Sequence, residues 1–193
     1  MLILTMSKRD ARYDAIKPLF DQGEISSFKD IFAFVPAPVV AADLGKRTSR
    51  FMELIDHPGS FKIQEIVLIG SFCNLTLEEL FSVIEPVYPL TPEKILPSND
   101  LEKYQQIRHL FDEHKIKFFE DIFSYVSKPL VAADLGKNRS GFGKRISTQI
   151  KKFPLKELVA IGKYCNLSLH ETFTLIEAEY QRQNGKPKTM TKS

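Results

Sequence analysis

Apolar residues recur at three- and four-residue spacings along most of the chain, and no segment alternates as a strand would. Tyr13, Ile16, Leu19 and Phe20 fall on one helical face, as do Tyr104, Ile107, Leu110 and Phe111. Phe28, Ile31, Phe32 and Val35 repeat the rule, mirrored by Phe119, Ile122, Phe123 and Val126. These aromatic stripes read as core packing rather than as a ligand box. A short helix opened by Pro38 or Pro129 is expected next, stopping at Gly45 or Gly136, where the chain needs a left-handed turn. Third helices are expected over about 48–55 and 139–150, the second with Gly141 and Gly143 inside it, and fourth helices over about 63–72 and 155–164. The fifth pair opens on Thr76-Leu77-Glu78-Glu79 and Ser168-Leu169-His170-Glu171. Both are capping boxes, in which hydroxyl and carboxylate reciprocally satisfy free N–H groups at a helix start.

The pattern is therefore stated twice. From Tyr13 to Tyr88 and from Tyr104 to Tyr180 the chain aligns with itself at an offset of 91, slipping to 92 after Ile55, with about three dozen identities in roughly 76 positions. The organisation expected is a segment 1–12, a first copy over 13–88, a Pro-rich linker over 89–103, a second copy over 104–180 and a basic, disordered tail over 181–193.

Charge separates the copies. The first carries 6 Lys or Arg against 11 Asp or Glu, the second 12 against 9, and the tail adds four positives and no acid. A basic partner surface is therefore expected in the second half. Cys73 and Cys165 occupy equivalent positions without metal-ligand spacing, and read as small buried reduced thiols. No metal or cofactor is expected. Asn74-Leu75-Thr76 and Asn166-Leu167-Ser168 match a glycosylation sequon, but the capping boxes account for them. The opening residues lack the basic segment of a signal peptide and no apolar run is long enough to span a bilayer, so a cytoplasmic protein without membrane contact is the expectation.

One order of features carries a resemblance. Val40-Ala41-Ala42-Asp43-Leu44-Gly45, then Thr48-Ser49-Arg50-Phe51, then Ile66-Val67 and Thr76-Leu77-Glu78-Glu79-Leu80-Phe81, resembles the Cro and lambda-repressor (XRE-type) helix-turn-helix family. Residues 28–88 and 119–180 are covered; the two leading helices fall outside. Two departures stand out: Lys46 and Lys137 follow the turn glycine where the family places an apolar residue, and Ala37 and Lys128 lie near a usual Gln. The resemblance implies an all-α protein of two tandem five-helix, lambda-repressor-like domains, each with an extra leading helix. It further implies sequence-specific binding of double-stranded DNA and transcriptional regulation, with two recognition helices in one chain reaching half-sites about one helical turn (~34 Å) apart.

Under that implication the DNA-binding residues are Arg47, Thr48, Ser49 and Arg50 in copy one, and Asn138, Arg139, Ser140, Lys144 and Arg145 in copy two, with Lys46 and Lys137 on phosphates. Arg pairs bidentately with guanine, Asn with adenine, and Ser or Thr with phosphates or base edges. The rival expectation is a protein-interaction module that keeps the fold and docks a basic partner on acidic copy one. No small-molecule effector region is evident. Catalysis is not expected, because no nucleophile-base set or phosphate-binding loop is present and Asp30, Asp121, Asp43 and Asp134 suit helix-surface or turn-capping roles.

Overall fold

Two glycines in the left-handed region set the frame. Gly45 at φ 64° and Gly136 at φ 63° each end a short helix, and the N–H of the lysine that follows returns to the carbonyl of Ala41 or Ala132 at 2.7 Å. Such a turn closes cheaply only where no Cβ opposes the positive φ. In the computed structural model the described residues are 10–85 and 101–185, and they fall into two compact units, one per copy.

Unit 1 opens with a 3-10 turn, Ala11–Ala15, running into α1 (Ile16–Asp21). There follow α2 (Ile31–Phe34), α3 (Ala37–Asp43), α4 (Thr48–Asp56), α5 (Ile63–Cys73) and α6 (Leu77–Ile84). Unit 2 repeats the order with α7 (Leu101–Asp112), a 3-10 helix over Phe119–Ser124, α8 (Lys128–Asp134), α9 (Phe142–Thr148), a 3-10 turn over Ile150–Lys152, α10 (Leu155–Tyr164) and α11 (Leu169–Asn184). The described residues are mostly helical, with no strand among them, so the protein is all-α.

Several expected boundaries move. Pro38 and Pro129 are the second residues of their helices, which begin at Ala37 and Lys128. α7 begins at Leu101, inside the expected linker, and α11 runs to Asn184, into the expected tail. In both cases one more turn of helix satisfies backbone groups that composition alone leaves unassigned. The remaining linker positions 89–100, residues 1–9 of the opening segment, residues 86–88 and the tail from residue 186 lie outside the described residues.

The cores are aromatic. In unit 1 Phe28, Phe32, Phe51 and Phe61 pack edge to face with ring centres 5.2–5.7 Å apart. Such pairs are worth about 0.5–1.5 kcal/mol each beyond the area they bury. In unit 2 the equivalent chain is looser, with Phe119–Phe123 and Phe123–Phe142 at 6.3 and 6.4 Å and Phe142–Phe153 at 5.5 Å. Both cysteines are buried, and desolvation pushes the Cys165 thiol up to about 12.

The leading helix is tied into each unit by the same polar pairs. Tyr13 Oη donates to Asp43 Oδ2 at 2.7 Å, and Tyr104 Oη to Asp134 Oδ2 at 2.8 Å, so the carboxylate before each glycine turn is a phenol acceptor. Asp30 and Asp121 instead accept backbone N–H groups from the residues just before them, at Ser26 and Ser27 and at Lys117 and Phe118. The capping boxes form as expected, and their glutamates serve twice: Glu79 also receives Lys17 Nζ, and Glu171 receives Arg108 Nη1 at 2.7 Å.

That second duty makes a measurable pH dependence. The Arg108 hydrogen bond, against some desolvation, holds the Glu171 carboxyl down to about 2. Unfolded Glu titrates near ~4.3. Because the folded value is the lower one, the stabilisation is complete above the unfolded value and disappears as pH falls through the folded one. Unit 2 is expected to lose on the order of 1–3 kcal/mol between about pH 5 and 2 from this group, after allowance for its partial exposure. Thermal melts of the wild type and Glu171→Gln across that window check it; equal slopes for the two proteins would remove the assignment.

Candidate nucleic-acid interface

In unit 1 the turn delivers the chain directly into α4. Arg47 is the N-cap residue, in extended backbone (φ −72°, ψ 138°), and helix begins at Thr48. Phe51, Leu54 and Ile55 are buried, which anchors one face in the four-ring cluster and turns the other to solvent. Arg47, Thr48, Ser49, Arg50 and Met52 are all exposed. Arg47, Thr48 and Ser49 have no side-chain partner among the described residues, whereas Arg50 Nη1 pairs with Glu53 at 2.5 Å. That pair is more than half exposed on both sides and is weak enough to yield to a phosphate or a base.

Lys46 is placed differently. Its Nζ meets Glu65 Oε1 on α5 at 2.7 Å, and only a fifth of the side chain is exposed. Lys137 does the same with Glu157 on α10 at 2.8 Å. These lysines, in the position where the resembling family carries an apolar residue, pin the turn to the following helix. Their positive charge is already answered by a carboxylate within their own unit.

Unit 2 departs from the expected geometry. The helix begins at Phe142, not near Arg139, because Gly141 takes φ 78° and stands as the N-cap residue. A left-handed residue cannot belong to a right-handed helix, so what would be the first turn becomes loop. Gly141 therefore costs the helix no propensity, and only Gly143 lies within it. Asn138 is occupied locally: its Oδ1 accepts the N–H of Ser140 at 2.8 Å. Arg139, Ser140 and Lys144 are exposed, and the Arg145 guanidinium lies over the Phe153 ring, 4.9 Å from its centre.

Gly143 has its own cause. A Cβ there would stand 3.2 Å from Lys128 Cδ. The Lys128 chain passes over it to reach Glu120 and Ser147, while its Nζ lies 5.7 Å from the Phe123 ring centre. At the aligned positions copy one has Ala37 and Met52, so a small-large pair has been exchanged for a large-small one. The far end of α9 is held by the Gln183 amide, which donates to Ile146 O at 3.1 Å and accepts from Ile150 N at 3.0 Å.

Two further cations lie outside the expected set. Lys151 and Lys152 form the 3-10 turn after α9, with no carboxylate partner among the described residues. Their signal is present in the sequence as an acid-free stretch. Between Asp134 and Glu157 the chain has seven Lys or Arg and no Asp or Glu, against four and two between the aligned Asp43 and Glu65. Among the described residues no group of His, Cys, Asp and Glu could hold a metal, and no single helix is long and apolar enough to cross a membrane. In comparisons with known proteins, no protein-family profile, curated protein or solved structure matches the chain significantly.

Proposed function

We propose that this chain binds double-stranded DNA and regulates transcription, using the paired helices around Gly45 and Gly136 as two helix-turn-helix elements in one polypeptide. One observation carries the reading. In each unit a glycine turn is followed by a largely exposed segment of cations and hydroxyls, Arg47 to Arg50 in unit 1 and Arg139 to Lys144 in unit 2, while the adjoining Phe51 and Phe142 are buried. Donors of this kind serve phosphate and base edges. Covalent linkage of two weak elements raises the effective concentration of the second once the first has bound. Because the two segments differ in sequence, the preferred site is asymmetric rather than a perfect inverted repeat.

Fluorescence anisotropy with random-sequence duplex DNA between ~50 and ~200 mM salt, followed by selection of the bound sequences, tests this. Affinity that falls steeply with salt and an enriched asymmetric site are expected. Absence of binding at ~50 mM salt would overturn it. A second reading, a protein-interaction module with a basic partner on unit 1, draws on the net acidity of copy one and on Lys46 and Arg50 being answered by Glu65 and Glu53. Under that reading binding follows the acidic unit and duplex DNA has no effect on it.

A further inference from the structure

We infer that the two units divide the work on DNA: unit 1 reads base edges, and unit 2 is an electrostatic clamp on the phosphate backbone that carries little sequence information. This rests on the DNA-binding reading and assigns each part of the site its task.

Base reading requires side chains held in fixed register on a rigid element that enters the major groove. α4 meets that need. It is regular from Thr48, the Phe51 ring of its buried face packs edge to face against Phe32 and Phe61, and its open face offers a hydroxyl at Ser49, a guanidinium at Arg50 and an apolar tip at Met52. Those are a donor-acceptor, a bidentate donor and a group suited to a thymine methyl. Unit 2 has one of the three corresponding groups, the exposed hydroxyl of Ser140 aligned with Ser49, and lacks the other two. The residues aligned with Arg50 and Met52 are Gly141 and Gly143, which have no side chain to offer. The residues before them are loop, with Asn138 engaged by Ser140. Arg145 lies along the unit's own surface on Phe153.

What unit 2 has instead is uncompensated charge. Arg139, Lys144, Lys151 and Lys152 have no carboxylate partner among the described residues, whereas in the aligned part of unit 1 Arg47 alone among the residues of the turn and α4 is a cation in that state. Loose, unpaired lysines suit phosphate, which demands charge rather than fixed orientation. Gly143 fits the same account, since its missing side chain makes room for the internal Lys128 chain and not for a partner.

The test uses the full chain, a duplex selected by the wild type, and a scrambled duplex of the same composition. Changing Lys144, Lys151 and Lys152 together to Gln is expected to weaken both duplexes equally, by 10-fold or more at ~100 mM salt. The slope of log affinity on log salt should fall by about 2–3, at ~0.9 for each phosphate no longer neutralised. Thr48→Ala and Ser49→Ala combined with Arg50→Lys, which keeps the charge, is expected to leave the slope unchanged and cut the preference for the selected duplex 10-fold or more. Asn138→Ala with Ser140→Ala is expected to leave that preference intact. Loss of preference in this last variant, or an unchanged salt slope in the triple Gln variant, would overturn the division of labour while DNA binding itself stands. A wild type that binds neither random nor selected duplex overturns both. None of the substituted positions is buried, and unchanged circular dichroism melts confirm folded variants.

Discussion

Changing Arg139 and Lys144 together to glutamate is expected to weaken binding to random-sequence duplex DNA by on the order of a hundredfold at ~100 mM salt, about 2.7 kcal/mol. The effect is large because neither side chain has a carboxylate partner among the described residues, so their full charge is available to phosphates. Reversal removes two attractions and adds two repulsions in a stretch that has no acid of its own. The fold has no reason to suffer. Arg139 lies in the loop before α9, and residue 144 is in its first turn, where a carboxylate suits the helix dipole. A control with the same charge change, Lys115→Glu with Lys117→Glu, lies on the exposed loop after α7. Anisotropy titrations of the three proteins decide the matter. Equal loss in the control would reduce the effect to net charge, and full retention in the Arg139/Lys144 variant would detach unit 2 from DNA. If the chain is instead a protein-interaction module on acidic unit 1, its partner binds this variant unchanged.

Where structure depends on neighbours a few residues away, residue types announce it. The apolar spacing around Ile63, Ile66 and Ile69 and the Thr76–Glu79 box locate α5 and α6, because helix periodicity and capping are satisfied within one or two turns. Gly45 and Gly136 act for the same reason: a left-handed residue is a local demand. Gly141 is ambiguous by the same logic. A glycine is tolerated inside a helix at about 1 kcal/mol and is also a good residue just outside one, and propensity does not choose between them. The choice follows from packing of Phe142 at the start of α9, a long-range matter.

The candidate site is legible in its residue types and less so in its use of them. Lys46 and Lys137 are basic residues beside a turn, but their partners Glu65 and Glu157 are supplied by α5 and α10. The duplication contains a signal for this that single positions lack. Two pairs of polar residues repeated in both copies, Tyr13 with Asp43 and Lys46 with Glu65, join to each other within each unit. Exposed positions beside the turn differ between copies, Arg47 against Asn138 and Arg50 against Gly141. Shared pairs hold the frame, and unshared positions distinguish what each frame presents.

Gly162→Ala is expected to destabilise unit 2 by about 2–3 kcal/mol, lowering its melting temperature by roughly 8–20 °C. Two effects compete. Replacing a helical glycine by alanine gains about 1 kcal/mol of propensity. Against this, a Cβ at Gly162 would stand 2.1 Å from Thr172 Oγ1, 2.7 Å from its Cγ2 and 2.9 Å from its Cβ. Rotating the threonine side chain moves the first two atoms but not the third, and Thr172 is buried with its hydroxyl donating to Ser168 O. α10 and α11 must therefore separate, and packing wins over propensity. Unit 1 is the internal comparison. At the aligned Gly70 a Cβ would stand 3.0 Å from Leu75 O and 3.6 Å from Leu80 Cδ2, a tight fit that a shift of a few tenths of an ångström relieves. Gly70→Ala is expected to lie within about 1 kcal/mol of the wild type, because propensity and crowding then nearly cancel. Adding Thr172→Ala to Gly162→Ala removes two of the three clashing atoms and is expected to restore part of the loss. The effect reaches the proposed DNA-binding surface as well: α10 carries Glu157, which pins Lys137, and α11 carries Gln183, which clips the end of α9. DNA affinity is therefore expected to fall at temperatures where Gly162→Ala begins to melt and to return with Thr172→Ala. A Gly162→Ala protein that melts above the wild type would show that the helices separate freely and that this close approach stabilises nothing.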